Sequence, residues 1–316
     1  MPSLRAKART RIPSIAHFVG RLCADRRLAL YDLLPLVSTP RARDRLARLI
    51  AWFRPKTPGF APAAGARRLH EALVTEGITL RLPPLPAAEI AAMRHYFETV
   101  PCHDPYRPQL GRFRFDAPPD PATNMGFFTA AEILAAPHVL ALLNDPMVLE
   151  TAELFLGCKP LLDNISCWWS YGGKSSAKGT QRYHRDFDSL RGFKLFLYLS
   201  DVDAAGGPHV FMRGSQRSAR LDTGSALPDA AIHEAFGIEN EVAMTGPAGT
   251  RFLADTFGWH KGLLPGTGNR LMLVAQYNIN RTPHLPAHPV MAMPAGAGWD
   301  PFVNRLILGE GGAARR

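Results

Sequence analysis

The stretch Tyr183-His184-Arg185-Asp186 sets an imidazole and a carboxylate two residues apart. In an extended strand alternate residues share a face, so His184 and Asp186 point one way and Arg185 the other. An imidazole beside a carboxylate is two-thirds of a 2-His-1-carboxylate triad. Such a triad holds Fe(II) on one face and leaves positions open for a bidentate co-substrate and O2. The third ligand must come from a distant strand. His260, at the end of Asp255-Thr256-Phe257-Gly258-Trp259-His260, is the best candidate, with His209 in reserve. A Gly/Pro turn (GLLPGTG) follows, and the next segment opens with Asn269-Arg270. A hairpin of this kind would bring Arg270 close to His260 across a strand pair. A guanidinium there can clamp a carboxylate through two parallel hydrogen bonds. A lone His-x-Asp is common by chance; the signal is both pieces, in this order, with turn chemistry between them.

Strands must position these residues, and the sequence supplies them from about residue 160. NISCWWSY, GFKLFLYLS, PHVFMRG, TRFLADT and NRLMLVAQYNI alternate with Gly/Pro/Asp turns, which predicts a β-sandwich or barrel. Trp169 and Tyr171 flank Ser170 on the first of these. They either line a co-substrate pocket or pack in the core, the commoner fate of strand aromatics. Trp259 should face away from His260 by alternation. Phe187 and Asp188 either touch substrate or form a loop edge. His209, His233, His284 and His288 lack a carboxylate at strand spacing and are expected to be surface or satisfied core histidines. The run Gly172-Gly173-Lys174-Ser175 lacks the first glycine and the βαβ setting of a phosphate-binding loop. It reads instead as a loop over the metal mouth.

Upstream the texture is helical. Residues 86–99 carry Ile90, Met93 and Phe97 on one face after Pro86. Residues 129–156 read as two or three short helices punctuated by Pro137 and Pro146. Residues 14–34 and 41–54 have amphipathic spacing, the second with Leu46, Leu49, Ile50 and Phe53 opposite Arg41, Arg45 and Arg48. A Pro/Gly-rich linker or loop spans 55–65.

From YHRDFD (183–188), KLFLYLSDVDAAGGPHVFMRGSQR (194–217) and the His260…Arg270 spacing, the chain resembles the phytanoyl-CoA dioxygenase-like family of Fe(II)/2-oxoglutarate oxygenases. The resemblance runs from about residue 70 to 282. It implies a mainly β fold with flanking helices, built on a double-stranded β-helix or jelly roll. It also implies iron ligands at His184, Asp186 and His260 and a 2-oxoglutarate carboxylate on Arg270. The cofactors implied are Fe(II), 2-oxoglutarate and O2, and the reaction is oxidation of a small organic substrate with release of succinate and CO2. Family members that halogenate lack the carboxylate ligand. Asp186 therefore favours hydroxylation, while desaturation, cyclisation and epoxidation use the same ligands. Two departures stand out. The family's Pro-Gly-Ser-His turn reads Arg213-Gly214-Ser215-Gln216. Lys194 stands where relatives place a small or polar residue near the co-substrate carboxylate, so it either adds a second cation there or snorkels to the surface.

These readings divide the chain into a basic helical extension (1–65), a helical region (66–158), a catalytic core (159–283) and a tail (284–316). Residues 1–56 hold thirteen Lys/Arg against three acids, so the whole net charge of +10 resides there. A basic amphipathic helix can hold a membrane surface or a partner, or simply present a solvated arginine face while packing on its own protein. Basic charge without interleaved exposed aromatics is a poor nucleic-acid signal, so no nucleic acid is expected. Four scattered cysteines fit free thiols in a reducing cytoplasm. No apolar run reaches the length of a membrane span, and no secretory core follows the basic start. A jelly-roll binding protein without turnover is the rival from another class. Nothing in the sequence sets an oligomeric state.

Overall fold

In the computed structural model, residues 37, 39–174, 179–221, 224–266, 268–282 and 289–309 are described. The expected helix at 14–34, His284, His288 and most of the basic extension lie outside them. Three helices come first: α1 (Pro40–Trp52), α2 (Ala64–Thr75) and α3 (Ala87–Thr99). Short strands β1 (Cys102–His103), β2 (Arg112–Phe113) and β3 (Met125–Phe127) follow. Then come α4 (Ala130–Ala135), α5 (Val139–Leu143) and α6 (Pro146–Leu156). Thr129 and Glu132 form a capping box that starts α4, and Asp145 caps α6 with Pro146 in its first turn. Those caps explain why the 129–156 run breaks where it does.

The remainder is β4 (Leu161–Tyr171), β5 (Gly192–Tyr198), β6 (His209–Met212), α7 (Asp229–Phe236), β7 (Glu241–Met244), β8 (Arg251–Ala254), β9 (His260–Gly262) and β10 (Asn269–Asn278). A last piece carries β11 (Met291–Ala292), α8 (Pro301–Asn304) and β12 (Leu308–Gly309). The strands form a seven-stranded antiparallel sheet, β2-β1-β3-β4-β10-β5-β8, and a three-stranded one, β7-β6-β9. A bridge between His184 and His260 adds the Tyr183–Asp186 segment to the free edge of β9. Strands β1–β3 were not anticipated: the 66–158 region is not wholly helical, and it extends the large sheet past β4.

Alternation on the large sheet separates two interiors. Ile165, Cys167 and Trp169 of β4, with Leu195, Leu197, Leu271, Leu273 and Tyr277, face α3, α5 and α6. Phe196, Tyr198, Met272 and Val274 face the small sheet and meet Phe211, Met244 and Phe252. The candidate site residues Lys194 and Arg270 share this second face. Outside the small sheet, Tyr183, Val210, Met212, Ile232 and Trp259 form a third cluster. Trp259 thus points away from His260, as alternation requires.

Helix α1 departs from its predicted orientation. The face packed on the protein is Arg43, Ala47 and Ala51, with Ile50 partly buried. Leu46, Leu49, Trp52 and Phe53 are exposed, the last two at 79%. Small alanines let the helix approach closely, and the buried Arg43 guanidinium donates to the Ser189 carbonyl and lies 4.2 Å from the Phe257 ring centre. A bulky Leu stripe could not pack there so tightly. No helix among the described residues is long and apolar enough to cross a membrane.

Candidate metal centre

One ligand atom from each of His184, Asp186 and His260 can be chosen so that all lie within 4.8 Å of one another. The backbone enforces this. His184 and His260 exchange reciprocal amide–carbonyl bonds of 2.9 and 3.0 Å, and the Asp186 amide donates to the Thr256 carbonyl at 2.9 Å. The Tyr183–Asp186 segment is pinned by bridges rather than embedded in a full strand, yet 184 and 186 still share a side. Arg185 points the other way, donating to the carbonyls of Ser215 and Ser218 at 2.9 Å and lying over the Trp259 ring.

Both imidazoles are oriented identically. Nδ1 of His184 is 2.9 Å from the Arg182 carbonyl, and Nδ1 of His260 is 2.9 Å from the Gly258 carbonyl. A carbonyl only accepts, so each Nδ1 carries the proton and each Nε2 presents a lone pair. Both Nε2 atoms lie 3.5 Å from an Asp186 carboxylate oxygen. Burial, reinforced by His184, lowers the His260 imidazole to about 3, so it stays neutral. Two lone pairs and a carboxylate converging without a donor among them repel one another until a cation sits between them. That is the donor set of a facial divalent-metal site.

The turn next to this site explains two small residues. A Cβ on Gly258 would lie 2.3 Å from the Phe211 ring, so only glycine can offer its carbonyl to His260 there. Ser215, from the departed Arg213–Gln216 turn, accepts the Trp259 amide at 2.8 Å and donates to the Met212 carbonyl at 2.6 Å. The turn therefore fixes the chain one residue before His260.

Arg270 reaches the same cavity by a route the sequence did not show. His260 is on the small sheet and Arg270 on the large one, so the two are not hairpin partners. The GLLPGTG turn carries the chain from one sheet to the other, and the two side chains meet across the space between. Arg270 pairs with Ser170 on β4, whose hydroxyl accepts Nη2 at 3.0 Å. Its Nε and Nη1 are buried and have no partner among the described residues. His209 Nε2, Trp168 Nε1 and Gln276 Oε1 line the same cavity of about 150 Å³ in the same condition. Buried polar groups left unpaired each cost free energy, so this concentration marks a site built for a polar occupant with several acceptor atoms.

The register that puts Ser170 beside Arg270 also decides between the two readings of Trp169 and Tyr171. Neither lines the cavity. Trp169 stacks on Phe115 with ring centres 4.5 Å apart, and the Tyr171 hydroxyl lies 3.6 Å from the Cys102 thiol, both in the helical core. The cavity-facing residues of β4 are Asn164, Ser166 and Trp168, one position out of step. Trp169→Ala should cost about 3–5 kcal/mol of stability in denaturant unfolding, while the folded variant keeps its cavity chemistry.

Lys194 lines the same cavity as Arg270. It is not at the surface, and its ammonium donates to Asp186 Oδ2 at 2.7 Å and to Asp188 Oδ2 at 3.2 Å. Burial opposes ionisation of both partners. The mutual attraction overcomes it, so the Asp186 carboxyl is held well below the carboxylate range and the Lys194 amine well above the lysine range. Asp188, in the loop that follows, is thus an ion-pair partner of Lys194, while Phe187 packs edge-on against Phe257. Lys194→Met should leave Asp186 partly buried without its cation. We expect the metal-free variant to lose about 3–5 kcal/mol, and a saturating divalent metal to raise its melting temperature more than it raises the wild type's.

Among the remaining candidates, His233 is satisfied by Glu241 at 2.6 Å. His209 is buried against Phe196, and burial lowers its imidazole well below the usual value. Its ring centre is 5.4 Å from that of His260. Lys174 Nζ is tied to the Pro121 carbonyl at 2.5 Å and the Gly173 amide to Pro265 and Gly266, which suits a loop rim and not a phosphate cradle.

No family model matches the sequence, and no curated protein matches it. Solved structures do. EctD from S. alaskensis with bound Fe aligns at 20% identity and TM-score 0.50, over 82% of this chain and 92% of that one. EctD with 2-oxoglutarate and 5-hydroxyectoine aligns at 19% and 0.50, over 71% and 82%. HygX from Streptomyces hygroscopicus, with nickel, 2-oxoglutarate and hygromycin B bound, aligns at 17% and 0.45, over 67% and 86%. The antiparallel sheets and flanking helices of this chain therefore share the fold of the iron-bound EctD structure.

Proposed function

We propose that this protein is an Fe(II)/2-oxoglutarate-dependent oxygenase of the phytanoyl-CoA dioxygenase-like kind, with a jelly-roll core, acting on a small organic molecule. The observation that carries the reading is the convergence of two Nε2 lone pairs and the Asp186 carboxylate beside the unpartnered donors of Arg270. His184, Asp186 and His260 would hold Fe(II). Arg270, with His209 and Trp168 as further donors, would hold the 2-oxoglutarate carboxylate far from the metal. When bound, iron with 2-oxoglutarate and O2 supplies oxidising power, turning the keto acid into succinate and CO2 and inserting the second oxygen atom into a C–H bond.

The protein's own work is positional. The carbonyls of Arg182 and Gly258 keep both imidazoles in the metal-binding tautomer. Lys194 occupies one carboxylate oxygen of Asp186, leaving Oδ1 for a cation. Three protein ligands would leave further positions on a bound metal for the co-substrate and O2. The presence of Asp186 favours hydroxylation; desaturation, cyclisation and epoxidation would use the same residues. The division at 65, 158 and 283 belongs to this reading, with β1–β3 joined to the catalytic sheet.

The test is conversion of 2-oxoglutarate to succinate by purified protein under air with Fe(II). Slow uncoupled turnover that requires Fe(II) and is absent in His184→Ala is expected. A metal-binding protein that never consumes 2-oxoglutarate would instead be a jelly-roll binding protein.

A further inference from the structure

A second cavity, of about 390 Å³, also has the Lys194–Asp186 pair in its lining. Asp186, Lys194 and Gln276 line both spaces, so the larger cavity adjoins the metal cavity at these residues. Its apolar wall includes Phe155, Leu190, Phe193 and Phe257. Its outer wall is helix α1, which contributes Arg41, Arg43 and Asp44, and α1 packs against the turn that ends in Arg217. Helix α1 thus walls one side of an open cavity beside the candidate metal centre.

The charges in this cavity are unevenly matched. Asp44 is taken by Arg191 at 2.6 Å and Arg48 at 2.5 Å, and Asp186 and Asp188 are taken by Lys194. Asp255 is buried, which pushes its carboxyl up to about 6 against the pull of Arg191, Arg43 and Arg185. Asp44, Asp186 and Asp188 therefore each carry an ion pair. Arg41 and Arg217 line the same cavity, and neither has an ion pair or side-chain hydrogen bond among the described residues. Resting on the oxygenase reading, we propose that the larger cavity receives the organic substrate, and that this substrate is an amphiphilic anion. Its carboxylate or phosphate lies between Arg41 and Arg217, and its apolar body runs along Phe257, Leu190 and Phe155 toward Asp186. Guanidinium groups suit either anion, and the aromatic wall suits a flat or branched hydrocarbon.

Binding of 2-naphthoate, 2-naphthyl phosphate and neutral 2-naphthamide to the metal-free protein, measured by calorimetry, tests this. At least one anion should bind and the amide should not, and the stronger anion identifies the headgroup. Arg41→Gln and Arg217→Gln should each weaken that anion about tenfold or more, as for loss of a charged hydrogen bond. Saturating 2-oxoglutarate should not displace it. Equal binding of the amide, no binding of either anion, unchanged affinity in both variants, or displacement by 2-oxoglutarate would each overturn the assignment. Fe(II) retention and 2-oxoglutarate consumption by the wild type are measured separately. Their failure with anion binding intact would remove the oxygenase reading and leave the anion cavity standing.

Discussion

His260→Ala is expected to fold and to lose its metal. In the wild type His260 is buried, its tautomer is fixed by Gly258, and its Nε2 has no donor among the described residues. Alanine removes one of three ligands and leaves a pair, His184 and Asp186, that cannot enclose a cation. Disturbing an outer partner of a ligand already costs roughly 10–100-fold in affinity, so losing the ligand itself should exceed that range. Iron retained per chain after anaerobic dialysis measures the effect, and succinate formation should fall to background. His184→Ala should behave alike. Metal content equal to wild type in either variant would place the ion elsewhere.

Arg270→Ala should spare the metal and lose the co-substrate. The guanidinium is buried, burial disfavours its charge, and one of its nitrogens is held by Ser170. The remaining donors stay orphaned until an anion arrives. Truncating one partner of a buried charged pair costs about 2–4 kcal/mol, equivalent to roughly 30–1,000-fold in Kd. Calorimetric titration of 2-oxoglutarate into the Fe(II)-loaded variant, without O2, reads it directly. Arg270→Lys should recover only part of the loss, because a point charge on a flexible stem does not reproduce a planar fork. Unchanged affinity would move the anchor to another donor of that cavity, with His209 first.

Much of this site was legible in the sequence because its ligands lie at short, regular spacings. His184 and Asp186 needed only the two-residue period of extended chain, and that period held even where pinning replaces a true strand. Arg270 was found by its distance from His260, although the reason offered, a hairpin, was not the one realised. The turn between them changes sheets, and which sheet a strand joins depends on contacts remote in sequence. The same gap explains Trp169 and Tyr171. Their alternation was plain, but its phase was set by pairing with β10, a hundred residues away. With the Arg270–Ser170 register in hand, Trp168 and Ser166 would have been named instead.

Lys194 and helix α1 illustrate a different limit. A lysine next to a sheet interior has two ordinary fates, and the sequence weighed only those. Its actual partner, Asp186, is a residue already assigned to the metal. Helix α1 was read by its largest apolar residues, whereas close packing selected its alanines and one arginine. A buried arginine in an otherwise amphipathic helix is a pairing decision, invisible until Ser189 and Phe257 are placed beside it.

Crystals grown without oxygen in Fe(II) and 2-oxoglutarate, with anomalous diffraction collected at the iron edge, put the reading to the sharpest trial. One peak should appear between the Nε2 atoms of His184 and His260 and a carboxylate oxygen of Asp186, with a carboxylate of the keto acid on the guanidinium of Arg270. An iron peak away from these three side chains, or 2-oxoglutarate bound without touching Arg270, would leave the proposed chemistry without a site.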